Sequence, residues 1–380
     1  MSLFIEFHLI QNFAPSNLNR DDTGAPKDAM FGGYRRARVS SQCFKRAIRM
    51  AVRDQGSIEP IFQGVRTKKL RQLLEHRLAV LGRAEAESRI VAALSAAGLQ
   101  LDDDGKTQVL LFLGDAEIQG FAELIHLHWD ELGNAVPSEA KKSKKEAKAS
   151  APPEVVKKAK ALLDGGKAVD VALFGRMLAD LPEVNQNAAC QVAHAISTHR
   201  VEREFDYFTA VDDQSGPDET GAGMIGQIEF NSATFYRYAV IDAHKLLENL
   251  QGDKELTLLA VKAFVQAAVR AIPTGKQNTF AAHNPPSFVG TAIRHGGPLN
   301  LANAFEKPIS AKQDKSLTSL SVEALTSYES QLATVYADGS DAWGYLDLTG
   351  SWPKEKGVAH ADLATLADWV KEQVALQLEV

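Results

Sequence analysis

Nine cations fall within residues 16–53, SNLNRDDTGAPKDAMFGGYRRARVSSQCFKRAIRMAVR: Arg20, Lys27, Arg35, Arg36, Arg38, Lys45, Arg46, Arg49 and Arg53. Only Asp21, Asp22 and Asp28 oppose them, leaving about +6 in a chain whose formal net charge is −6. A local charge that opposes the global one marks a surface for anions. The second half of the segment reads as a helix, with Ser40 or Ser41 as N-cap before CFKRAIRMAVR. At about 100° per residue, Gln42, Lys45, Arg46, Arg49 and Arg53 share one face, and Phe44, Ala47, Ile48 and Ala51 the opposite one. Cations near a helix N-terminus oppose its dipole unless an anion sits there too. Free N–H groups, a serine cap and cations together describe a phosphate cradle. The preceding Gly32-Gly33 would let backbone N–H groups approach an anion closely. The plain alternative is a solvated basic face on an ordinary amphipathic helix.

Other chemistries find weaker support. GAGMIG (221–226) has the spacing GxGxxG, but it leads into a strand where a dinucleotide site needs a helix. His126 and His128 in HLHWDE have no third ligand at helical spacing, so no metal site is expected. There is no HExxH, phosphate-binding Walker loop or nucleophile elbow. Asp28, or Asp21 and Asp22, could hold a divalent ion for RNA cleavage, yet no second catalytic partner stands nearby, so no catalytic residue and no cofactor are expected. In FDYFTAVDD (205–213), Phe205 and Tyr207 alternate with Phe208, so a strand there would present rings on both faces. One such face needs a partner, either another subunit or unstacked bases.

The elements that must position these residues follow from patterning. With 45% hydrophobic and 24% charged residues over 380 positions, the chain is globular, with one large domain or two. No apolar run spans a membrane, and MSLFIEFHLIQ alternates as a strand where a signal peptide would show an apolar core. Two distant cysteines, Cys43 and Cys190, form no framework and suit a reducing cytoplasm. Helical patterns fill 66–99 and 115–133; the lysine-rich 137–160 reads as a mobile loop. Residues 201–211 and 227–240 read as hairpin strands around an acidic, turn-rich tip, 255–273 as an apolar helix, 285–294 as a strand, and 321–336 and 360–378 as helices. Without the helical insertion the order is βαββαβ, so the fold class is α+β on a ferredoxin-like or RRM-like plan. The expected boundaries are an initial palm segment over 1–59, helical fingers over 60–180, palm strands over 181–241 with a thumb hairpin near 200–228, and the rest of the palm with C-terminal helices over 242–380.

LNRDD (18–22), KDAMFGGYRRARVSSQ (27–42), FKRAIR (44–49), LFGRM (173–177), HAISTHRVEREFDYFTAVDD (194–213), FYRYAVI (235–241) and LANAFEKPI (301–309), in this order, resemble the backbone subunit of type I-E CRISPR Cascade, the CasC family. Residues 60–165 and the C-terminal segment match it loosely. The resemblance implies a right hand: an RRM-like palm, helical fingers and a hairpin thumb, with copies polymerising head to tail on one crRNA. It implies RNA contacts by Arg20, Lys27, Ser40, Gln42, Lys45, Arg46 and Arg49 in the palm, and by Met177 and Phe208-Thr209 beside a displaced base. Tyr34 departs from the family pattern, where a basic residue is common. The partners implied are crRNA, further copies, other Cascade subunits and target DNA reached through the guide, without a membrane. Lys141, Lys142, Lys144, Lys145 and Lys148 add a candidate contact to DNA outside the guide duplex. Two other classes compete: a metal-dependent RNA-cleaving subunit using Asp28, and a monomeric single-stranded RNA-binding module.

Overall fold

A computed structural model describes residues 2–134, 151–178, 181–210, 224–336 and 342–378. Its strands are β1 Phe4–Ser16, β2 Asp28–Phe31, β3 Tyr34–Val39, β4 Gly64–Thr67, β5 Leu111–Gly114, β6 Cys190–Val192, β7 Ala195–Ser197, β8 Glu204–Ala210, β9 Met224–Asp242, β10 Phe288–Arg294, β11 Ala342–Asp347 and β12 Val358–Ala359. The basic segment contributes helix α1, Ser41–Gln55. The chain divides into two compact units.

The first unit comprises Met1–Gln55, Gln191–Ala243 and Val261–Val380. Its sheet runs β12-β11-β10-β1-β9-β7-β3-β2, and neighbours along this path are antiparallel except β11 and β12. β1 is central and covered on both faces. Ile5, Phe7 and Leu9 are buried, and the Phe7 ring lies 5.1 Å from Phe264 of the helix Lys254–Arg270. On the other face Ile10 packs with Tyr236, Phe288, Phe305 and Val322. Glu6 and His8 alternate with these apolar residues, and they too are fully buried.

Buried polar groups must find partners, and of the side-chain polar atoms of Glu6 and His8 all but His8 Nε2, which stands 3.7 Å from Glu6 Oε2, have one. Tyr238 Oη donates to Glu6 Oε1 at 2.8 Å and Arg294 Nε to Glu6 Oε2 at 2.9 Å. Tyr236 Oη lies 2.9 Å from His8 Nδ1 and accepts the Leu301 N–H at 3.1 Å. Burial alone would raise the Glu6 carboxyl, but His8 and Arg294 hold it below its ordinary value.

The second unit comprises Gly56–Cys190 and His244–Ala260. β4 and β5 pair antiparallel, and helices Leu70–Val80, Glu87–Ala96, Asp115–Leu127 and Pro153–Ala161 surround a separate core. Leu70, Leu74 and Leu78, spaced four residues apart, form a stripe that packs with Ile90, Phe121 and Val155. Within it, Glu117 and Arg176 form a buried ion pair at 2.8 Å, and Glu117 also accepts the Gly114 and Gly165 N–H groups. Lys141, Lys142, Lys144, Lys145 and Lys148, and the hairpin tip 211–223, lie outside the described residues.

Candidate nucleic-acid interface

α1 starts where its sequence places a cap. Ser40 Oγ accepts the Cys43 N–H at 3.3 Å, while the Ser40 carbonyl accepts from Cys43 and Phe44. That settles the choice between Ser40 and Ser41: Ser41 is the first helical residue. Ser40 is itself held, since its N–H donates to Asn19 Oδ1 at 2.9 Å. Phe44, Ala47, Ile48 and Val52 turn inward, and Phe44 packs against Phe13, Val39 and Phe235. Beneath them Arg237 is buried, with its guanidinium 4.1 Å from the Phe44 ring and bonded to Gln11 and the Ala268 carbonyl. Burial pushes that guanidinium down to about 9, so it still carries charge at neutral pH.

Gln42 and Arg46 are exposed on the outer face of α1, and Lys45 is half-buried. Arg49 is only 8% exposed. Its place in the helix, one turn beyond Lys45, falls on the outer face with Gln42 and Arg46, yet its side chain lies buried against the protein. Arg20 is exposed on the turn that Arg20 and Pro26 close by a β-bridge, and Lys27 follows with its N–H donated to the Asn19 carbonyl. Asn19 therefore ties Lys27 and Ser40 to one point. A cleft of about 730 Å³ beside α1 is lined by Arg20, Arg46, Arg270, Asp22 and Asp54, with Met50 among its apolar residues.

His194 joins this cluster, and sequence reading misses it. Its Nδ1 lies 3.3 Å from both Arg38 Nη1 and the Ser41 N–H. Arginine and amide can only donate, so Nδ1 is the acceptor and the ring is neutral. Partial burial, then the charges of Arg38 and Lys27, lower its pKa. No spacing rule points to His194; only its position at the head of the block HAISTHRVEREFDYFTAVDD marks it.

The glycines preceding α1 do something other than the expected anion contact. Phe31 pairs with Tyr34, so Gly32 and Gly33 form the two-residue turn of the β2–β3 hairpin, at φ +58° and +80°. A Cβ on Gly32 would collide with the Glu306 carbonyl oxygen. The hairpin turn thus docks on the LANAFEKPI loop, and only glycine permits the approach. Arg36 locks the two together. Fully buried, it donates to the carbonyls of Ser197 at 2.9 Å, Phe305 at 2.7 Å and Glu306 at 3.0 Å.

Asp28 Oδ2 accepts from Arg35 Nη1 at 2.5 Å and Arg203 Nη2 at 2.9 Å, and Arg203 also reaches Glu229 at 3.1 Å. Among the described residues, no group of three or more His, Cys, Asp or Glu is placed to hold a metal ion.

Arg203 stands at the root of a two-stranded ribbon. β8 pairs with the N-terminal stretch of β9 from Glu204–Phe230 to Ala210–Met224, and all seven β8 residues are exposed. Phe208 and Thr209 point to opposite faces. Phe208 pairs with Gly226, and its ring fills the space that a side chain there would need. That explains the last glycine of GAGMIG without any cofactor. Met177 belongs to the second unit and is 85% exposed, on a turn fixed by the buried Arg176 and by Gly175 at φ +76°.

The family model of the CT1975-like proteins matches residues 5–372. The chain belongs to this family. A solved structure described as a CRISPR RNA-guided surveillance complex, pre-nicking, contains a chain 30% identical that covers 98% of this chain and 100% of its own, at a TM-score of 0.84. A chain in another CRISPR RNA-guided surveillance complex is 26% identical, covering 97% of this chain and 99% of its own at a TM-score of 0.74. No curated protein matches. The resemblance carried by LNRDD, FGGYRRARVSSQ and LANAFEKPI therefore holds along the whole chain, including the stretches where the sequence blocks fit loosely.

Proposed function

We propose that this chain is a non-catalytic, crRNA-binding backbone subunit of a type I-E CRISPR surveillance complex. The carrying observation is the end-to-end likeness, at 30% identity, to a chain of a CRISPR RNA-guided surveillance complex. Copies polymerise along the guide, and their contacts to it are phosphate contacts that ignore sequence. The guide then meets target DNA by base pairing while the protein senses backbone geometry.

The geometry supports this reading at several points. The strand order β10-β1-β9-β7, with α1 after β1 and the helix Lys254–Arg270 before β10, suits an RRM-like palm. The capped N-terminus of α1, with Lys27, Arg38, Lys45 and Arg46 around it, suits phosphates. The exposed β8–β9 ribbon suits a thumb and the second unit suits fingers. Asp28, already held between two guanidiniums, faces charges that repel a divalent cation, which favours a subunit that does not cut RNA. A cytoplasmic site of action suits two cysteines that form no disulfide. Among the described residues, no helix is long and apolar enough to cross a membrane.

Co-expression with a CRISPR transcript tests the proposal. The expected result is a multi-copy assembly containing RNA of defined length whose sequence matches the transcript. A chain that stays monomeric on that RNA would point to a simple RNA-binding module, and one that cleaves target RNA with a divalent metal would contradict the non-catalytic reading.

A further inference from the structure

A second groove, of about 450 Å³, opens at the far end of β3 from the Ser40 cap. Six residues of strand separate the two, about 20 Å at the usual rise. Its lining includes Tyr34, His199, Arg200, Lys307, Ile309 and Leu317, and no acidic residue. At the rim Arg200 pairs with Glu202 at 3.0 Å, both largely exposed, while Lys307 is exposed and has no ion pair within the described residues. Tyr34 is 46% exposed at the hairpin turn.

The groove is fixed from behind. Arg36 clamps the loop 305–306 against the hairpin, Gly32 permits their contact, and the Ile309 N–H donates to the Thr198 carbonyl at 2.9 Å. His199 is pinned through both ring nitrogens: Nδ1 donates to the Arg200 carbonyl at 2.7 Å and Nε2 accepts the Thr234 N–H at 3.2 Å. Walls built this way keep their shape without a ligand, and the volume suits one nucleotide.

We propose that this groove binds one nucleotide of single-stranded RNA, its base or ribose against the Tyr34 ring and its phosphate at Lys307 and Arg200. An exposed aromatic ring beside cations, with no acid among the lining, is the combination that grips single strands irrespective of sequence. An acidic segment of a protein would use the cations and leave the ring without a role. This inference rests on the RNA-binding reading above and assigns it a further subsite, one that the basic face of α1 does not reach.

The test uses the full-length chain and a single-stranded RNA carrying 4-thiouridine. After irradiation and digestion, mass spectrometry should find a crosslinked peptide containing Tyr34. In fluorescence anisotropy, Tyr34→Ala should bind the RNA about tenfold more weakly while Tyr34→Phe stays near the parent. Lys307→Ala should lower the slope of log affinity against log salt by roughly 0.7. Crosslinks confined to the α1 side, with Tyr34→Ala binding unchanged, would overturn the subsite and leave the RNA-binding reading intact. Unchanged RNA affinity with lost assembly of Tyr34→Ala would make the groove a protein contact and equally overturn it. If the parent chain bound no RNA, the functional reading itself would fall.

Discussion

Arg46 is exposed and Lys45 half-buried on α1, and in the proposed role they contribute charge without sequence preference. Lys45→Ala with Arg46→Ala should weaken RNA binding about equally for unrelated guides, and each lost phosphate contact should lower the salt slope by roughly 0.7. Titrations of several guide sequences between low and moderate salt would check it, and an effect on one guide alone would contradict it. Arg36 differs, although the sequence places it in the same basic run. Its guanidinium serves three carbonyls inside the protein. Arg36→Ala should destabilise the fold by about 3 kcal/mol, because buried carbonyls lose their donors. Urea unfolding with an unchanged m-value would report this. Nothing in the letters RRAR separates Arg36 from Arg35: the difference arises because β3 alternates, turning Arg36 toward the LANAFEKPI loop and Arg35 toward solvent.

At the scale of elements, α1 is readable because its cap, its period and its basic face all lie within fifteen residues. The ribbon strands are readable from alternation, and β8 and β9 fall at the expected 201–211 and 227–240, each shifted at its ends. The β2–β3 hairpin is not. Its glycines suit a turn and an anion loop equally, and what decides between them is a contact with Glu306, far away in sequence. β11 and β12 escape notice for a related reason: short strands paired at a sheet edge have little local pattern to show. The site divides in the same way. The cations of α1 are legible, whereas His194 enters through tertiary pairing alone. The ribbon also yields a prediction. Gly226→Ala should push the Phe208 ring off its seat and weaken RNA binding to about the level of Phe208→Ala. Neither change should move Tm much, because every β8 residue is exposed and little core depends on them. A large drop in Tm, or RNA binding equal to the parent for both variants, would count against the ribbon as an RNA contact.

For the molecule as a whole, stability should fall on the acid side of neutrality. Burial, together with the nearby Arg36 charge, lowers the pKa of His199 despite its bond to the Arg200 carbonyl. With the folded pKa below the unfolded value of about 6.5, the unfolded chain takes up the proton first. His199 thus leaves stability unchanged well above that value and reduces it as pH falls through about 6.5 toward the folded pKa. Urea midpoints at pH 7.5 and 5.8 should differ, and His199→Gln should narrow the gap; an equal gap in both proteins would count against this assignment. The central position of β1 has another outcome, during synthesis. Phe4 pairs with Arg294 on one side and Asp242 on the other, so its partners leave the ribosome some 240 to 290 residues later. At ordinary translation rates that is about 10–60 s. Throughout that time a strand carrying Ile5, Phe7 and Leu9 has no sheet to join, and the nascent chain must be shielded by chaperones or risk pairing with its neighbours on the same message.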